Sequence, residues 1–269
     1  MVDKARSVAL RAQELGWDGP PYDPLVLADL LKIKVAPRTD VEDARTIPLG
    51  NDRFIIEYNP ERPHGRLRYS IAHEIAHTFF PDASEAIRNR LPRSAMKNDE
   101  WQLEMLCNLG AAELLMPVGS FRELISAEYS IARLMDYRKE FGVSAEALLN
   151  RVVRLATIPC AMFAASCRPS DTSSNNYRVD YSIGSPYWGG TSLTNQRVPN
   201  DSAVTECTAI GWTARGIKEW QSELGPMQVE SAGIPPYPGQ TLPRVVALFG
   251  QNKQRNNRQA IWISSAGMR

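Results

Sequence analysis

The chain holds three histidines, and two of them, His73 and His77, frame Glu74 in the order His-Glu-x-x-His. At this composition chance supplies about 0.002 such matches in a chain of this length, so the arrangement is specific. Residues four apart stack on one helix face, which lets both imidazoles reach a single Zn2+. Glu74, one residue after the first imidazole, leans toward the position the metal leaves open. Zinc lowers the pKa of a coordinated water to about 7, and Glu74 is placed to take its proton during attack on a peptide carbonyl. The expected chemistry is metal-assisted hydrolysis of a peptide bond.

The segment from Arg66 to Phe80 that carries these residues lies between Gly65 and Pro81 and reads as a helix. At about 100° per residue, Leu67, Ile71, Ala72, Ile75 and Phe79 share one arc, while Ser70, His73, Glu74 and His77 share the other. The first face is expected to pack and the second to display chemistry. A catalytic zinc takes three protein ligands, and no His-x-x-Gly-x-x-His continuation follows His77. A carboxylate on another helix is the remaining source. Asn98 to Met116 reads as that helix, capped by Asn98 or Asp99, followed by Pro117, and apolar nearly all round, which predicts burial. On it Glu100 and Glu104 share a face with Cys107 and Asn108, whereas Glu113 points roughly opposite. Glu104 sits deeper in the apolar part, where a metal would account for a carboxylate otherwise costly to bury. Glu100 stands in the first turn, where an acid complements the helix dipole.

These residues resemble the ImmA/IrrE family of metallopeptidases, of the gluzincin kind, in which a His-Glu-x-x-His helix is followed by a helix of the form E-x-x-A-N-x-F-A-A-x-L-L-M-P. Here the second pattern runs from Glu104 through Asn108, Ala111, Ala112, Leu114, Leu115 and Met116 to Pro117. The stretches PPYDPLVLADLLKIKV and FIIEYNPERPHGRLRYSIAHE are also similar, so the resemblance covers roughly residues 10 to 156 and does not extend to the C-terminal strands. It implies that Glu104 is the third zinc ligand. Cys107 stands where the family usually has Ala, and Gly110 where it usually has Phe. A glycine inside a helix costs about 1 kcal/mol relative to Ala. Cys107, one turn from Glu104, is within reach of the metal in principle, set against the plainer reading of a small buried thiol. Asn108, on the face of Glu104, reads either as a partner that orients a ligand or as an ordinary buried amide. Tyr58 and Tyr69 are candidates to stabilise an oxyanion, set against plain packing.

Around this site the sequence predicts a helix over residues 3–15 that stops at Gly16. A short helix led by Asp23 and Pro24 comes next, then strands at 33–36 and 53–58. Helical patterns at 130–140 and 144–155 are joined by the turn FGVS. After Ala156 short apolar runs (IPCAMFAASC, YRVDYSIG, ECTAIGWT, PMQVES, RVVALFG, AIWISS) alternate with Gly, Pro, Ser and Asn clusters. That texture predicts strands, with RPSDTSSNN and SPYWGGTSLTNQRVPND as surface loops. The expectation is an α+β protein with a mostly helical zincin-like metallopeptidase domain at 1–156 and a strand-rich α+β domain at 157–269 for regulation or substrate docking.

Charge and composition narrow the function. Lys and Arg number 31 against 30 Asp and Glu, for a net charge of +1, with 43% hydrophobic and 23% charged residues. Such a chain is globular and exerts no global attraction on nucleic acid or acidic membranes. The helices at 130–155 could be read as helix-turn-helix, but Arg133, Arg138, Lys139, Arg151 and Arg154 are offset by Glu128, Asp136, Glu140 and Glu146, so direct DNA binding is not expected. Lys253, Arg255 and Arg258 read as a solvated hairpin loop. No apolar run reaches membrane-span length, and the start, MVDKARSVALRAQELGWDG, is charged where a signal peptide is apolar. The expected setting is the cytoplasm. Cys107, Cys160, Cys167 and Cys207 lack C-x-x-C spacing and read as free thiols. The resemblance implies cleavage of a helix-turn-helix transcriptional repressor, which derepresses stress-response or mobile-element genes. With no fused repressor-type domain read in the chain, the expected substrate is a separate protein. The sequence leaves the oligomeric state open. The rival function is a non-proteolytic, metal-containing binding or regulatory protein that sequesters a partner or binds DNA. The intact Glu74 argues against that rival.

Overall fold

The computed structural model describes residues 1–81, 83, 88–89, 98–121, 130–167, 177–207, 209–219, 226–237 and 240–251. The chain divides into two compact units, Met1–Glu123 with Asp136–Ala147, and Leu124–Met135 with Leu148–Arg269. The architecture is mixed α+β, with helices grouped around the histidine motif and a strand-rich region after them.

The first unit opens with α1 (Val2–Glu14), whose small residues Ala5, Ala9 and Ala12 form one buried stripe and lie against α4 (Asn98–Leu115). Helix α2 (Pro24–Leu30) starts as its sequence predicts, with the Asp23 side chain accepting from the Leu25 N–H at 2.8 Å and Pro24 in the first turn. Strand β1 (Lys34–Pro37) runs parallel to β3 (Arg53–Tyr58), with Val35 opposite Ile56. Between them in the chain lies a strand that the sequence reading leaves out, β2 (Ala44–Gly50). It pairs antiparallel with β3 through a two-residue loop, Asn51 and Asp52, both at φ 53°. Two successive positive φ values are the mark of a type I′ hairpin, a conformation that Asn and Asp tolerate. A short β4 (Arg88–Asn89) completes the order β1-β3-β2-β4.

Helix α3 (His64–His77) begins directly after Pro63, two residues earlier than expected, and ends where the Thr78 hydroxyl donates to the Ile75 carbonyl at 2.7 Å. Its entry is tied down by Asp43, which receives Arg62 at 3.1 Å and Arg66 at 2.7 Å. The helix lies between the β2–β3 hairpin and α4. Consequently the arc expected to display chemistry is covered as thoroughly as the packing arc, and Ser70, His73, Glu74 and His77 are all buried. Helix α4 departs from all-round burial: Trp101 and Met105 are exposed, whereas Glu104, Cys107, Ala111, Glu113, Leu114 and Leu115 are buried. Glu113 does point away from Glu104, to a 3.2 Å ion pair with Arg6 of α1.

Helices α5 (Ile131–Phe141) and α6 (Ala145–Leu155) match the two patterns before residue 156, with the Ser144 hydroxyl accepting from the Ala147 N–H. Lys139 pairs with Asp136 at 3.0 Å, Arg154 donates to Asn150 at 2.7 Å, and Arg151 is buried.

Strands β5 (Cys160–Cys167), β6 (Tyr177–Gly184), β7 (Thr213–Glu219), β8 (Pro226–Ile234) and β9 (Arg244–Gln251) form an antiparallel sheet in the order β6-β5-β9-β8-β7. A short α7 (Ala203–Glu206) precedes β7. Period-two alternation brings Phe163, Val179, Val229, Val245, Ala247 and Phe249 onto one face, with the Phe163 and Phe249 rings 5.2 Å apart. Two expectations change here. Among its described residues the run ECTAIGWT holds a helix end and a turn at Gly211, φ +83°, and only its last residue, Thr213, is strand, the first of TARGIKE. The segment 185–201 is not wholly surface, since Leu193 and Val198 insert into the sheet core. The loop 168–176, the run AIWISS, Glu128 and the group Lys253, Arg255 and Arg258 lie outside the described residues. Among the described residues no helix is long and apolar enough to cross a membrane.

Candidate metal centre

Helices α3 and α4 bring the motif and the second-helix residues to one point. Nε2 of His73 and Nε2 of His77 stand 3.1 Å apart. The two carboxylate oxygens of Glu104 reach them, Oε2 at 3.1 Å from His73 and Oε1 at 3.2 Å from His77. Glu100, one turn earlier, is exposed. The far nitrogens of the two rings also meet α4. Nδ1 of His73 lies 3.2 Å from Asn108 Oδ1, and Nδ1 of His77 lies 3.3 Å from Cys107 Sγ. The Tyr69 hydroxyl donates to Asn108, 3.1 Å from its carbonyl oxygen and 3.2 Å from Oδ1, so the tyrosine steadies the amide that faces His73. Tyr58 closes β3, where its carbonyl accepts from the Arg38 N–H, and no side-chain hydrogen bond joins it to this cluster among the described residues.

A carbonyl oxygen already receiving a tyrosine proton serves as an acceptor, so His73 carries its own proton on Nδ1 and turns a lone pair at Nε2 inward. The same tautomer at His77 directs Nδ1–H to the Cys107 sulfur. Two ring lone pairs and a carboxylate then converge inside a buried space, an arrangement that repels itself unless a cation sits among the donors. Donors bound at about 2.1 Å to one tetrahedral ion stand roughly 3.4 Å apart, close to the spacing seen here. The donor set therefore fits a metal ion. His73, His77 and Cys107 likewise present ligand atoms within 4.8 Å of one another and could hold a metal. With no cation among the donors, the alternative is protonated imidazoles: burial works to raise the Glu104 carboxyl, but their hydrogen bonds and charge would outweigh it and hold the pKa at about 2.

Glu74 is also tied to the sheet. The Thr46 hydroxyl of β2 lies 2.7 Å from Glu74 Oε2 and 3.1 Å from the Glu74 carbonyl oxygen. Thr46 is absent from the sequence reading because β2 is absent from it. The signal available was the Asn-Asp pair before β3, which extends that strand backward into a hairpin and puts Thr46 on the face with Ala44.

Residues 29–153 match the family model described as the IrrE N-terminal-like domain, a peptidase M78 domain. The chain is also similar to a solved Mycobacterium tuberculosis transcriptional regulator, with a TM-score of 0.59 at 14% identity, over 93% of this chain and 76% of that one. That likeness is one of fold. No curated protein sequence matches the chain. Thr46, the motif helix and the Glu104 turn of α4 all fall inside the span, residues 29–153, that matches the IrrE N-terminal-like domain.

Proposed function

We propose that this chain is a zinc-dependent endopeptidase in which His73, His77 and Glu104 hold the metal and Glu74 is the general base. The observation that carries the reading is the meeting of both Nε2 atoms with both Glu104 oxygens at 3.1–3.2 Å. Glu104 is preferred over Cys107 as third ligand because the thiol addresses Nδ1 of His77, on the far side of the ring from that meeting point.

Zinc in such a site supplies Lewis acidity toward a carbonyl and acidifies water. The chain's own residues do the rest. His73 and His77 keep their protons on Nδ1, where Asn108 and Cys107 receive them. Glu104 would contribute the negative charge of the donor set. Glu74 takes a proton from water at its carboxylate and passes it to the leaving amine. Thr46 holds that carboxylate in place through Oε2.

The substrate we assign is a specific protein, a separate helix-turn-helix repressor in the cytoplasm whose cleavage derepresses genes. The family supports a protein substrate, and the fold likeness to a transcriptional regulator supports a regulatory setting. The test incubates wild type and Glu74→Gln with repressors encoded beside the gene and with casein, followed by intact mass. Discrete fragments are expected with wild type alone and from the repressor alone. Elemental analysis should show zinc in Glu74→Gln and none in His73→Ala. Equal zinc loss in both variants overturns the role assignment, and broad digestion of casein overturns the specific substrate.

One observation favours a second reading, a non-proteolytic metal-containing regulator. His73, Glu74 and His77 are each 0% exposed, a closed setting for groups that must meet a peptide. On that reading Glu74→Gln relieves repression in cells as well as wild type does.

A further inference from the structure

Histidines that hold metals are oriented by whatever their second ring nitrogen donates to, most often a carboxylate, a backbone carbonyl or water. In this chain the two histidines of α3 are served by adjacent residues of α4. Asn108 faces His73 Nδ1 at 3.2 Å and Cys107 faces His77 Nδ1 at 3.3 Å. Glu104 lies three and four positions before them, so one turn of α4 supplies the carboxylate and both imidazole partners. Cys107 is 0% exposed and the ring of His77 is equally enclosed. The thiol therefore meets the imidazole without competition from bulk water.

We propose that Cys107 is a positioning residue for His77: its sulfur accepts the Nδ1 proton, which fixes the tautomer and points Nε2 at the place where His73 and Glu104 meet. The inference rests on the zinc reading above and adds a role that a small buried thiol does not have by packing alone. A sulfur is a weaker acceptor than a carbonyl, so its loss is expected to weaken the site rather than abolish it. It also separates two uses of the same residue. A thiolate ligand would bind the metal through sulfur, whereas a positioning thiol leaves the metal with nitrogen and oxygen donors alone.

Co2+ and Zn2+ serve as the probes, on the full chain. Wild type loaded with Co2+ should bind one ion and show visible absorption without the intense near-ultraviolet band of a thiolate–cobalt bond. Chelator competition should give Cys107→Ala a Zn2+ affinity about tenfold weaker than wild type. Cys107→Ser, whose hydroxyl oxygen also accepts from Nδ1–H, should recover part of that loss. Thermal unfolding of the metal-free proteins, measured alongside, separates packing from positioning, because packing moves the midpoint and leaves the metal affinity in place. A thiolate–cobalt band in wild type overturns the proposal by making Cys107 a ligand. An affinity equal to wild type in Cys107→Ala, or an affinity in Cys107→Ser that stays about tenfold or more below wild type, each in protein confirmed as folded by circular dichroism, overturns it as well. Should Cys107→Ala fail to fold, the wild-type spectrum and the serine variant decide. Failure of wild type to bind Zn2+ or Co2+ at all would strike the zinc reading itself, and is thereby distinguished from failure of the cysteine's role.

Discussion

Thr46, in the first half of strand β2, donates its hydroxyl proton to Oε2 of Glu74 at 2.7 Å, a bond between residues 28 apart in the chain. It couples the sheet to the motif helix at the residue assigned as base. The same hydroxyl also lies 3.1 Å from the Glu74 carbonyl oxygen, so backbone and side chain are addressed from one anchor.

Thr46→Val keeps the branched shape and removes the donor. Hydrogen bonds to charged groups contribute about 1.5–3 kcal/mol, so kcat should fall by about tenfold to a hundredfold while Zn2+ affinity stays near wild type. Steady-state kinetics on the cleaved repressor, paired with chelator competition, reads both. A matched fall in metal affinity would mean that Thr46 serves the fold of the site rather than the base.

Glu104→Ala should weaken Zn2+ binding far more than Glu100→Ala. Glu104 stands within 3.2 Å of both imidazoles. Glu100 is exposed in the first turn of α4, where its dipole interaction contributes roughly 0.3–1 kcal/mol. Competitive chelator titration ranks the two, and the reverse order would move the third ligand one turn toward the helix start.

These contrasts show which parts of the site are readable from the chain alone. His73, Glu74 and His77 are legible because their relation is local, set by helical spacing. Glu104 is legible as an acid in an apolar helix. The roles of Thr46 and Cys107 are not, for their partners lie 28 and 30 residues away and the contact depends on how layers pack. Strand β2 escapes because Pro48 and Gly50 interrupt its alternation, even though Asn51 and Asp52 mark the hairpin that contains it. The strand-rich texture after Ala156 is readable from period-two runs, but Gly211 hides the true start of β7. Leu193 and Val198, isolated among polar residues, give no periodic signal of their place in a core.

Alkaline stability should be set in part by two buried thiols of the strand-rich region. Burial pushes Cys160 and Cys207 up from the ordinary thiol value of 9.0 to about 11. Between those values the unfolded chain has released protons that the folded chain retains, so stability declines as pH rises through this window and is unaffected by these groups below it. Denaturant midpoints at pH 8 and 10.5 should fall more steeply for wild type than for Cys160→Ala with Cys207→Ala. Parallel slopes would show that other groups govern the alkaline limb.

A fragment ending near residue 156 is expected to fold and to bind zinc, because Thr46, Tyr69, His73, Glu74, His77, Glu104, Cys107 and Asn108 all precede that point and lie in the first compact unit. Circular dichroism and elemental analysis of the purified fragment check this. An insoluble or metal-free fragment would assign residues after 156 a share in the core.

Gly110 supplies a test of how closely α3 and α4 must approach. A Cβ on Gly110 would stand 2.9 Å from the Ala76 Cβ and 3.0 Å from the Met1 sulfur. The methionine can swing aside, but Ala76 is fixed on α3 between the two histidines' turns and cannot. Replacing a helical glycine by alanine ordinarily gains about 1 kcal/mol. Here overpacking, typically about 1–3 kcal/mol, should cancel or exceed that gain. Gly110→Ala is thus expected to be no more stable than wild type and to bind Zn2+ more weakly, since the clash presses on the helix that carries His73 and His77. Ala76→Gly clears the space from the other side, so the double variant should recover the lost metal affinity, a coupling that a double-mutant cycle measures directly. If Gly110→Ala alone raised the unfolding midpoint and left zinc binding intact, the close approach at this glycine would have no bearing on the site.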